Sequence, residues 1–503
     1  MKKTASILAA ALLAVGCGAA AAQEMRIGLQ EDPDVLDPHR ARTYVGRIVF
    51  TSLCDKLVDI DPNLRIVPQL ATAWSWNDDN TVLTMKLRQG VTFHDGSAFD
   101  AQAAKANLDR ARTLPESFRK GELASVDSVE APDAETLVLK LKKPDATLLA
   151  QLSDRAGMML SPKGFDEKDI NAVGRKPVCS GPYKFVERVQ NDRIVLDKFD
   201  QYYDAGAYHF KRITFLPIPD STVRLQNLRA GGLDMLERLS PSDVADVRKD
   251  DKLSFVFIPG LGFQEVVFNQ NNGARAQSSA LRDARVREAL SLAIDRDAIN
   301  EVIGGGIFAP ANQPFPPASV YFNQKYAAPK RDVARAKALL KEAGMPQVKA
   351  ELAFGNNTTT AAMAEMIQAM VREAGIELSL RPTDYAALLT QMSSGNFEMA
   401  LRGWSGRPDP DGNIYPFVTC KGALNDGRYC NETVDKMLND ARTVPDDTRR
   451  KAFYDQAQEI LHKDAAHAFL YFQPWPFALQ KKVQGFEPYP DGMIRLKNVK
   501  FAQ

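Results

Sequence analysis

A strand–helix–strand–helix–strand pattern in the second half of the chain constrains the fold more than any other feature. Residues 350–354 and 376–380 alternate as strands, whereas residues 361–374 place methionine and other apolar side chains at helical spacing. Gly375 ends that helix, and residues 397–401 supply a further strand. This order is typical of parallel βαβ units and predicts an α/β fold.

The loop after the last of these strands is the first place to expect a binding site, because ligands of parallel sheets bind beyond the carboxyl ends of the strands. Residues 403–411 form this loop and include Trp404, Arg407 and Asp409. Trp404 is expected either as an apolar wall of the site or as a core residue.

The first half of the chain carries β-rich patterns. Residues 71–101 predict a hairpin, in which a polar turn at 77–80 precedes alternating apolar and polar residues. A second strand pair is predicted within 126–142, and a helix near 101–111. Residues 61–175 are therefore expected to form a mixed subdomain rich in strands.

The N-terminus predicts export. Lys2 and Lys3 precede a short apolar core, and an A-x-A site ends at Ala22, so residues 1–22 are typical of a signal peptide cleaved before Gln23. Lipid attachment at Cys17 is the alternative. Either way, the mature chain is expected in the periplasm.

Charge and length limit the classes of partner and architecture. The chain has 64 basic and 63 acidic residues, and loss of Lys2 and Lys3 leaves 62 − 63 = −1. This balance predicts no binding to nucleic acid or to an anionic membrane. The remaining 503 − 22 = 481 residues exceed what one core accommodates, so two or more lobes are expected.

Four cysteines remain after cleavage. In an oxidising compartment, Cys420 and Cys430 are expected to form a disulfide that closes a small loop, with two free thiols as the alternative. The sequence leaves open whether Cys54 and Cys179 pair.

Motifs of catalysis are absent from the sequence. It contains no G-x-S-x-G, H-E-x-x-H, Walker A or G-x-G-x-x-G string. Of its five histidines, His462 and His467 are five residues apart and do not share one helical face. We therefore predict no catalytic residue, no metal site and no cofactor. An extracytoplasmic enzyme and a chaperone-like binder of unfolded chains are the alternatives.

Several strings match a known family in order and spacing. Beyond residues 71–101, they are Leu36-Asp37-Pro38, Ser180-Gly181-Pro182-Tyr183, Val267-Phe268-Asn269, Ala293-Ile294-Asp295-Arg296 and Tyr429-Cys430-Asn431. Together they resemble the bacterial extracellular solute-binding proteins of family 5, the peptide, opine and nickel class that serves ABC importers.

The resemblance implies an architecture. It is the two-lobed periplasmic-binding-protein fold (class II, cluster C type), an α/β fold with an extra β-rich subdomain in the first lobe. The first lobe would comprise residues 23–266 and the second residues 267–475, with a return to the first lobe over 476–503. Crossovers are expected near 267–272 and 471–476.

The resemblance also implies a function. The chain would be a monomeric periplasmic receptor that captures a peptide or small-molecule ligand between its lobes, without catalysis. It would then deliver this ligand to ABC permease subunits in the inner membrane.

At the two positions where family members hold the charged ends of a dipeptide, this chain carries different residues. In peptide-binding members, an Asp three residues after the Trp of this loop holds the peptide ammonium, and here Arg407 occupies that position. The Arg that binds the carboxylate in dipeptide-binding members aligns with Phe354. One hypothesis is that an acidic group of the solute meets Arg407. The other is that Arg407 pairs with Asp409 or Asp411 and shapes the loop.

Four further residues are candidate ligand contacts by resemblance. Phe263 and Gln264 lie just before the expected first crossover, and Arg42 and Tyr44 lie in the N-terminal loop. Family members line their cleft with residues at these places.

Overall fold

The structure is a computed structural model that describes residues 24–165 and 168–502. The predicted signal peptide and Cys17 lie outside the described residues. One large mixed sheet runs through the molecule. Its strands are, in order across the sheet, Ile376–Thr383, Val348–Gly355, Met399–Trp404, Leu253–Phe268, His467–Gln480, Met235–Glu237, Glu24–Leu29, Arg212–Pro217, Arg193–Lys198 and Tyr183–Val189, with Ala309–Pro310 paired to His467–Gln480.

Parallel pairing at one end of this sheet confirms the predicted βαβ pattern. Strand Val348–Gly355 pairs in parallel with Ile376–Thr383 and with Met399–Trp404. Gly375, which precedes strand Ile376–Thr383, has a φ of +100°. That conformation suits glycine and lets the helix end there.

Helices cover the sheet and the subdomain. They are Tyr44–Leu53, Ala101–Thr113, Leu148–Leu152, Ala172–Arg175, Ser221–Arg229, Val244–Lys249, Gly273–Gln277, Ala284–Ala293, Arg296–Val302, Val333–Glu342, Thr358–Arg372, Tyr385–Ser393, Asp411–Val418, Glu432–Arg442 and Asp447–Lys463. Within the described ranges, none of them has both the length and the apolar composition that a membrane crossing requires.

A separate four-stranded sheet confirms the predicted β-rich subdomain. Its strands are, in order, Ala71–Trp76, Val82–Leu87, Thr136–Leu141 and Val126–Glu130. Leu83 and Met85 face a core that also takes helix Ala101–Thr113, as the alternation in the hairpin predicts. Two small sheets pair Val58–Ile60 with Ile66–Pro68 and Val483–Gln484 with Lys500–Phe501.

Two large cores define two lobes. The first lobe packs around residues such as Met25, Ile213 and Trp475, and the second around residues such as Val266 and Leu470. The chain therefore has the predicted two-lobed α/β fold.

The antiparallel strands Leu253–Phe268 and His467–Gln480 connect the lobes, and their register shifts between Ile258 and Gly262. The first strand pairs with Met399–Trp404 of the second lobe from Phe263 to Phe268. The lobe boundaries 23–266, 267–475 and 476–503 stay a prediction.

Both cysteine pairs lie at disulfide distance. Cys420 and Cys430 confirm the predicted short loop. Cys54 and Cys179, which the sequence left open, also pair, with Cα atoms 4.8 Å apart. This second pair joins the end of helix Tyr44–Leu53 to the segment before strand Tyr183–Val189.

Candidate functional site

A cavity lies between the two lobes, where several strands of the large sheet end. It opens to solvent, and the space free of protein atoms in it, including the open part, is about 670 Å³. The first lobe lines it with residues that follow two strands, and the second lobe with residues that follow two others. These residues are Gln30, Glu31, Arg238 and Leu239 from the first lobe, and Asn357, Thr359, Thr360 and Tyr385 from the second. The cavity thus lies where ligands of such sheets bind.

Glu31 and Arg238 bring opposite charges to this cavity. Glu31 Oε1 is 3.9 Å from Arg238 Nη1. It accepts no hydrogen bond from any residue that the structure describes. Burial raises the pKa of Glu31 to about 7; Arg238 opposes this rise, and Glu237 adds to it. The carboxyl of Glu31 therefore lacks a full counter-charge.

Contacts from the first lobe hold Arg238 in position. Its Nη1 donates to Gln30 Oε1 at 3.0 Å, and its guanidinium lies 4.4 Å above the ring of Tyr44. Its backbone has a φ of +51°, which is rare for a residue with a side chain. Glu237 Oε1 accepts the Gln30 N–H at 2.6 Å and so fixes the same segment.

The second lobe supplies a helix N-terminus and an aromatic wall. Asn357 caps helix Thr358–Arg372 by accepting the Thr360 N–H, and the first residues of that helix face the cavity. Such an N-terminus favours a negatively charged group. Phe308 and Tyr471 stack with ring centroids 4.0 Å apart and form an apolar side of the cavity.

Of the residues predicted to contact ligand, Gln264 lines this cavity, where its Nε2 donates to Gln473 Oε1 at 3.2 Å. Tyr44 lies behind Arg238, and its hydroxyl donates to the Gly492 carbonyl. Phe354 and Phe263 pack into two different cores of the second lobe. A role of these residues in ligand binding stays a prediction.

The loop 403–411 contacts the first lobe. One hypothesis expected Arg407 to pair with Asp409 or Asp411, and it is wrong: Asp409 pairs with Arg450, and Asp411 pairs with Arg442. The Nε of Arg407 lies 2.6 Å from Asp154 Oδ2 in the first lobe.

Trp404 is part of this contact region. Its ring lies 4.1 Å from the Arg407 guanidinium, and its Nε1 donates to Asn413 Oδ1 at 2.9 Å. Trp404 also packs edge-on against Phe417 in the core. It is buried and has the surroundings of a core residue.

Other polar contacts join the lobes. Arg42 pairs with Asp426 at 2.7 Å, and Arg47 Nη1 donates to Ser405 Oγ at 2.7 Å. The Ala146 N–H donates to the Arg442 carbonyl at 2.8 Å. In this structure the lobes therefore lie against each other, and the predicted residue Arg42 is a contact between them.

The sequence reasoning missed Glu31, Arg238, Asn357 and Tyr385. All four follow strands at their carboxyl ends, so the rule that selected the loop 403–411 also applied to them.

Among residues 24–165 and 168–502, no group of three or more His, Cys, Asp or Glu side chains is placed to hold a metal ion.

Comparison with known sequences finds binding proteins that are similar to this chain over most of its length. The glutathione-binding protein GsiB of Pectobacterium atrosepticum is 29% identical over 481 residues, which cover 93% of this chain and 92% of that protein. GsiB of Escherichia coli O157:H7 is 27% identical over 497 residues, which cover 96% and 95%.

Solved structures share the fold. The ABC transporter-associated periplasmic binding protein DppA of Helicobacter pylori, in complex with the peptide STSA, has a TM-score of 0.88 at 25% identity, covering 95% of this chain and 98% of that one. The murein tripeptide binding protein MppA of Escherichia coli also has a TM-score of 0.88, at 24% identity, covering 96% and 99%. The family profile itself matches residues 65–425. With two lobes, a cavity between them and this match over most of its length, the chain belongs to the bacterial extracellular solute-binding proteins of family 5.

Proposed function

We propose that this chain captures a peptide-like zwitterion in the inter-lobe cavity and delivers it to the permease of an ABC importer. Binding proteins of family 5 serve such importers. The observation that carries the choice of solute is the presence of Glu31 and Arg238 in one cavity, where a carboxylate oxygen of Glu31 has no hydrogen-bond donor among the described residues.

A zwitterion complements the polar groups of the cavity. An ammonium group supplies the hydrogen-bond donor and the charge that Glu31 lacks, because a buried charge requires a partner. Arg238 and the N-terminus of helix Thr358–Arg372 provide donors for a carboxylate. The relatives named above bind glutathione or a peptide, and both compounds carry an ammonium group and a carboxylate.

Isothermal titration calorimetry with glutathione and with the peptide Ser-Thr-Ser-Ala tests the proposal. We expect saturable binding at one site. At a free solute concentration of 100 times Kd, the free energy of unfolding of the protein should rise by about 2.7 kcal/mol. Glu31→Gln should weaken binding about tenfold or more, the scale of a lost charge-assisted hydrogen bond. Glu459→Gln, on an exposed helix surface of the second lobe, should bind like the wild type.

Two results contradict the proposal: binding of neither compound, or equal affinities of Glu31→Gln and wild type. An enzyme would return altered glutathione after prolonged incubation, whereas a receptor returns it unchanged. A chaperone-like binder would retain unfolded chains and would show no saturable affinity for either compound.

Export and assembly state are part of the proposal. The mature chain starts at Gln23, is periplasmic and works as a monomer. Intact mass measurement of protein from the periplasmic fraction tests the cleavage site. An added lipid mass with Cys17 at the N-terminus would support the lipoprotein alternative, and light scattering measures the monomer.

A further inference from the structure

Four buried arginine side chains meet at the lobe interface, near the loop 403–411. Arg47, Arg119 and Arg155 come from the first lobe and Arg407 from the second, and each is at most 5% exposed. We call them the arginine cluster. Arg119 and Arg155 both donate to the Ala41 carbonyl, at 3.4 and 2.6 Å.

The arginine cluster has more positive than negative charge. Asp154 pairs with Arg407 at 2.6 Å and with Arg47 at 3.1 Å, and it lies 4.0 Å from Arg155. Glu122 pairs with Arg119. Within the described ranges, four guanidinium groups therefore share two carboxylates, which leaves a formal charge of 4 − 2 = +2.

Three donors of the arginine cluster make no hydrogen bond within the described part of the chain: Arg407 Nη2, Arg119 Nε and Arg155 Nε. Two of its carboxylate oxygens, Asp154 Oδ2 and Glu122 Oε2, make none either, although Asp154 Oδ2 lies in ion-pair range of Arg407. Unsatisfied buried donors and excess buried charge both cost free energy. Burial and the neighbouring Arg47 lower the pKa of Arg407 to about 9, against the opposing effect of Asp154. An anion at this place would relieve both costs.

A second inter-lobe cavity adjoins two side chains of the arginine cluster, Arg119 and Arg407. Arg119, Glu122 and Gln151 line it from the first lobe, and Trp404 and Arg407 from the second. Gly403, the neighbour of Trp404, lines the first cavity. The two cavities therefore meet the same strand end at consecutive residues.

We infer that the arginine cluster is a carboxylate subsite of the cleft. The receptor selects peptide-like solutes that carry a carboxylate beyond the ammonium and carboxylate expected at Glu31 and Arg238. A planar guanidinium such as that of Arg407 suits a carboxylate, because two parallel N–H groups match its two oxygens. This inference rests on the proposed function, since it assigns a further group of the same solute.

Two pairs of probes that differ by one negative charge test the inference. They are glutathione with its glycine monoethyl ester, and Ala-Glu with Ala-Gln. Affinities are measured by calorimetry for wild type, Arg407→Gln and Arg407→Lys. We expect the acid to bind wild type at least tenfold more tightly than its uncharged counterpart in at least one pair. In Arg407→Gln this ratio should fall to below threefold, and Arg407→Lys should retain part of it.

The ratio distinguishes recognition from a structural role. If Arg407 only holds the lobes together, Arg407→Gln weakens acid and counterpart equally and the ratio stays unchanged, which contradicts the inference. Equal affinities of wild type for both members of both pairs also contradict it, while the proposed function stands. Binding of no probe contradicts the proposed function and the inference with it. If Arg407→Gln does not fold, as judged by circular dichroism, the ratios of Arg407→Lys and Arg119→Gln decide by the same criteria.

Discussion

Arg407 Nε lies 2.6 Å from Asp154 Oδ2, and this ion pair joins the second lobe to the first across 253 residues of sequence. Both side chains are buried. Burial by itself would raise the pKa of Asp154, but Arg407 and Arg47 lower it to well below its usual range. Asp154 is therefore the anion around which the arginine cluster is organised.

Asp154→Asn should be among the most destabilising polar substitutions in this chain. It leaves four buried guanidinium groups with Glu122 alone, and removing one partner of a buried ion pair costs about 3–5 kcal/mol. We expect the free energy of unfolding in urea to fall by that amount. The double variant with Arg407→Gln should lose less than the sum of the two single variants, because the two groups are coupled.

Asp440→Asn is the matched control. Asp440 pairs with Lys436 on an exposed helix surface, where the Lys436 side chain is 76% exposed. Exposed pairs of this kind contribute about 0.3–0.5 kcal/mol. A loss of similar size at Asp154, or strict additivity with Arg407→Gln, would contradict the interpretation.

Solute affinity should depend on pH through Glu31. Its pKa of about 7 means that the carboxylate that binds an ammonium group is roughly one tenth populated at pH 6 and nine tenths at pH 8. Affinity for S-methylglutathione, whose sulfur does not titrate, should therefore rise about tenfold over this range. Calorimetry at three pH values measures this, and Glu31→Gln should show no such rise.

Stability of the solute-free protein should change in the opposite direction. The pKa of Glu31 is raised above its usual 4.5, so its contribution to stability is present in full below that value and is lost as pH rises through about 7. Asp55, whose pKa burial also raises to about 7, contributes in the same sense. Comparing melting temperatures of wild type and Glu31→Gln between pH 5 and 8 isolates the Glu31 part, and identical profiles would contradict the assignment.

Local sequence patterns were sufficient for individual strands and helices, whereas the two-lobed arrangement was implied by the family resemblance. Alternation in residues 82–87 and helical spacing in 361–374 depend on neighbours within a few residues, and both predictions are confirmed. Glu31 is different. It stands in an acidic stretch with Asp32, Asp34 and Asp37 that has the composition of a solvated turn. Only the strand pairing of Glu24–Leu29 with Met235–Glu237 places it beside Arg238.

The carboxyl ends of strands mark where the candidate site lies, but the pairings of its residues are long-range and leave no local signal. One of the two hypotheses for Arg407 paired it with carboxylates of its own loop, yet Asp409 and Asp411 pair with arginines of following helices. The partner of Arg407 comes from the first lobe, and nothing in the spacing of residues 403–411 indicates it. The same applies to Cys54 and Cys179, 125 residues apart.

The two disulfides should differ in their effect on stability. In the chain-entropy model, a cross-link closing 10 residues contributes roughly 2.7 kcal/mol and one closing 125 residues roughly 5 kcal/mol. Cys54→Ala with Cys179→Ala should therefore lower the free energy of unfolding more than Cys420→Ala with Cys430→Ala. Urea unfolding of both double variants measures the difference, and the reverse order would show that native-state effects outweigh loop entropy.

Gly262→Ala should displace the loop that carries Arg407. A Cβ atom at this position would overlap the Trp404 carbonyl oxygen and would lie 2.7 Å from the Ser405 carbonyl carbon. Both are backbone atoms, so no side-chain rotation relieves the clash, and strand Met399–Trp404 must shift away from its partner.

We expect Gly262→Ala to cost about 1–3 kcal/mol or more of stability, the usual range for overpacking. It should also lower the affinity ratio between acid and uncharged probes, because Ser405 and Arg407 move with the strand end. Gly206→Ala, where a Cβ meets nothing within 4 Å, is the control and should leave both quantities unchanged. A Gly262→Ala variant with wild-type stability and an unaltered ratio would mean that the strand end adapts without moving the arginine cluster. In that case the geometry of the carboxylate subsite would not depend on this close approach of the two strands.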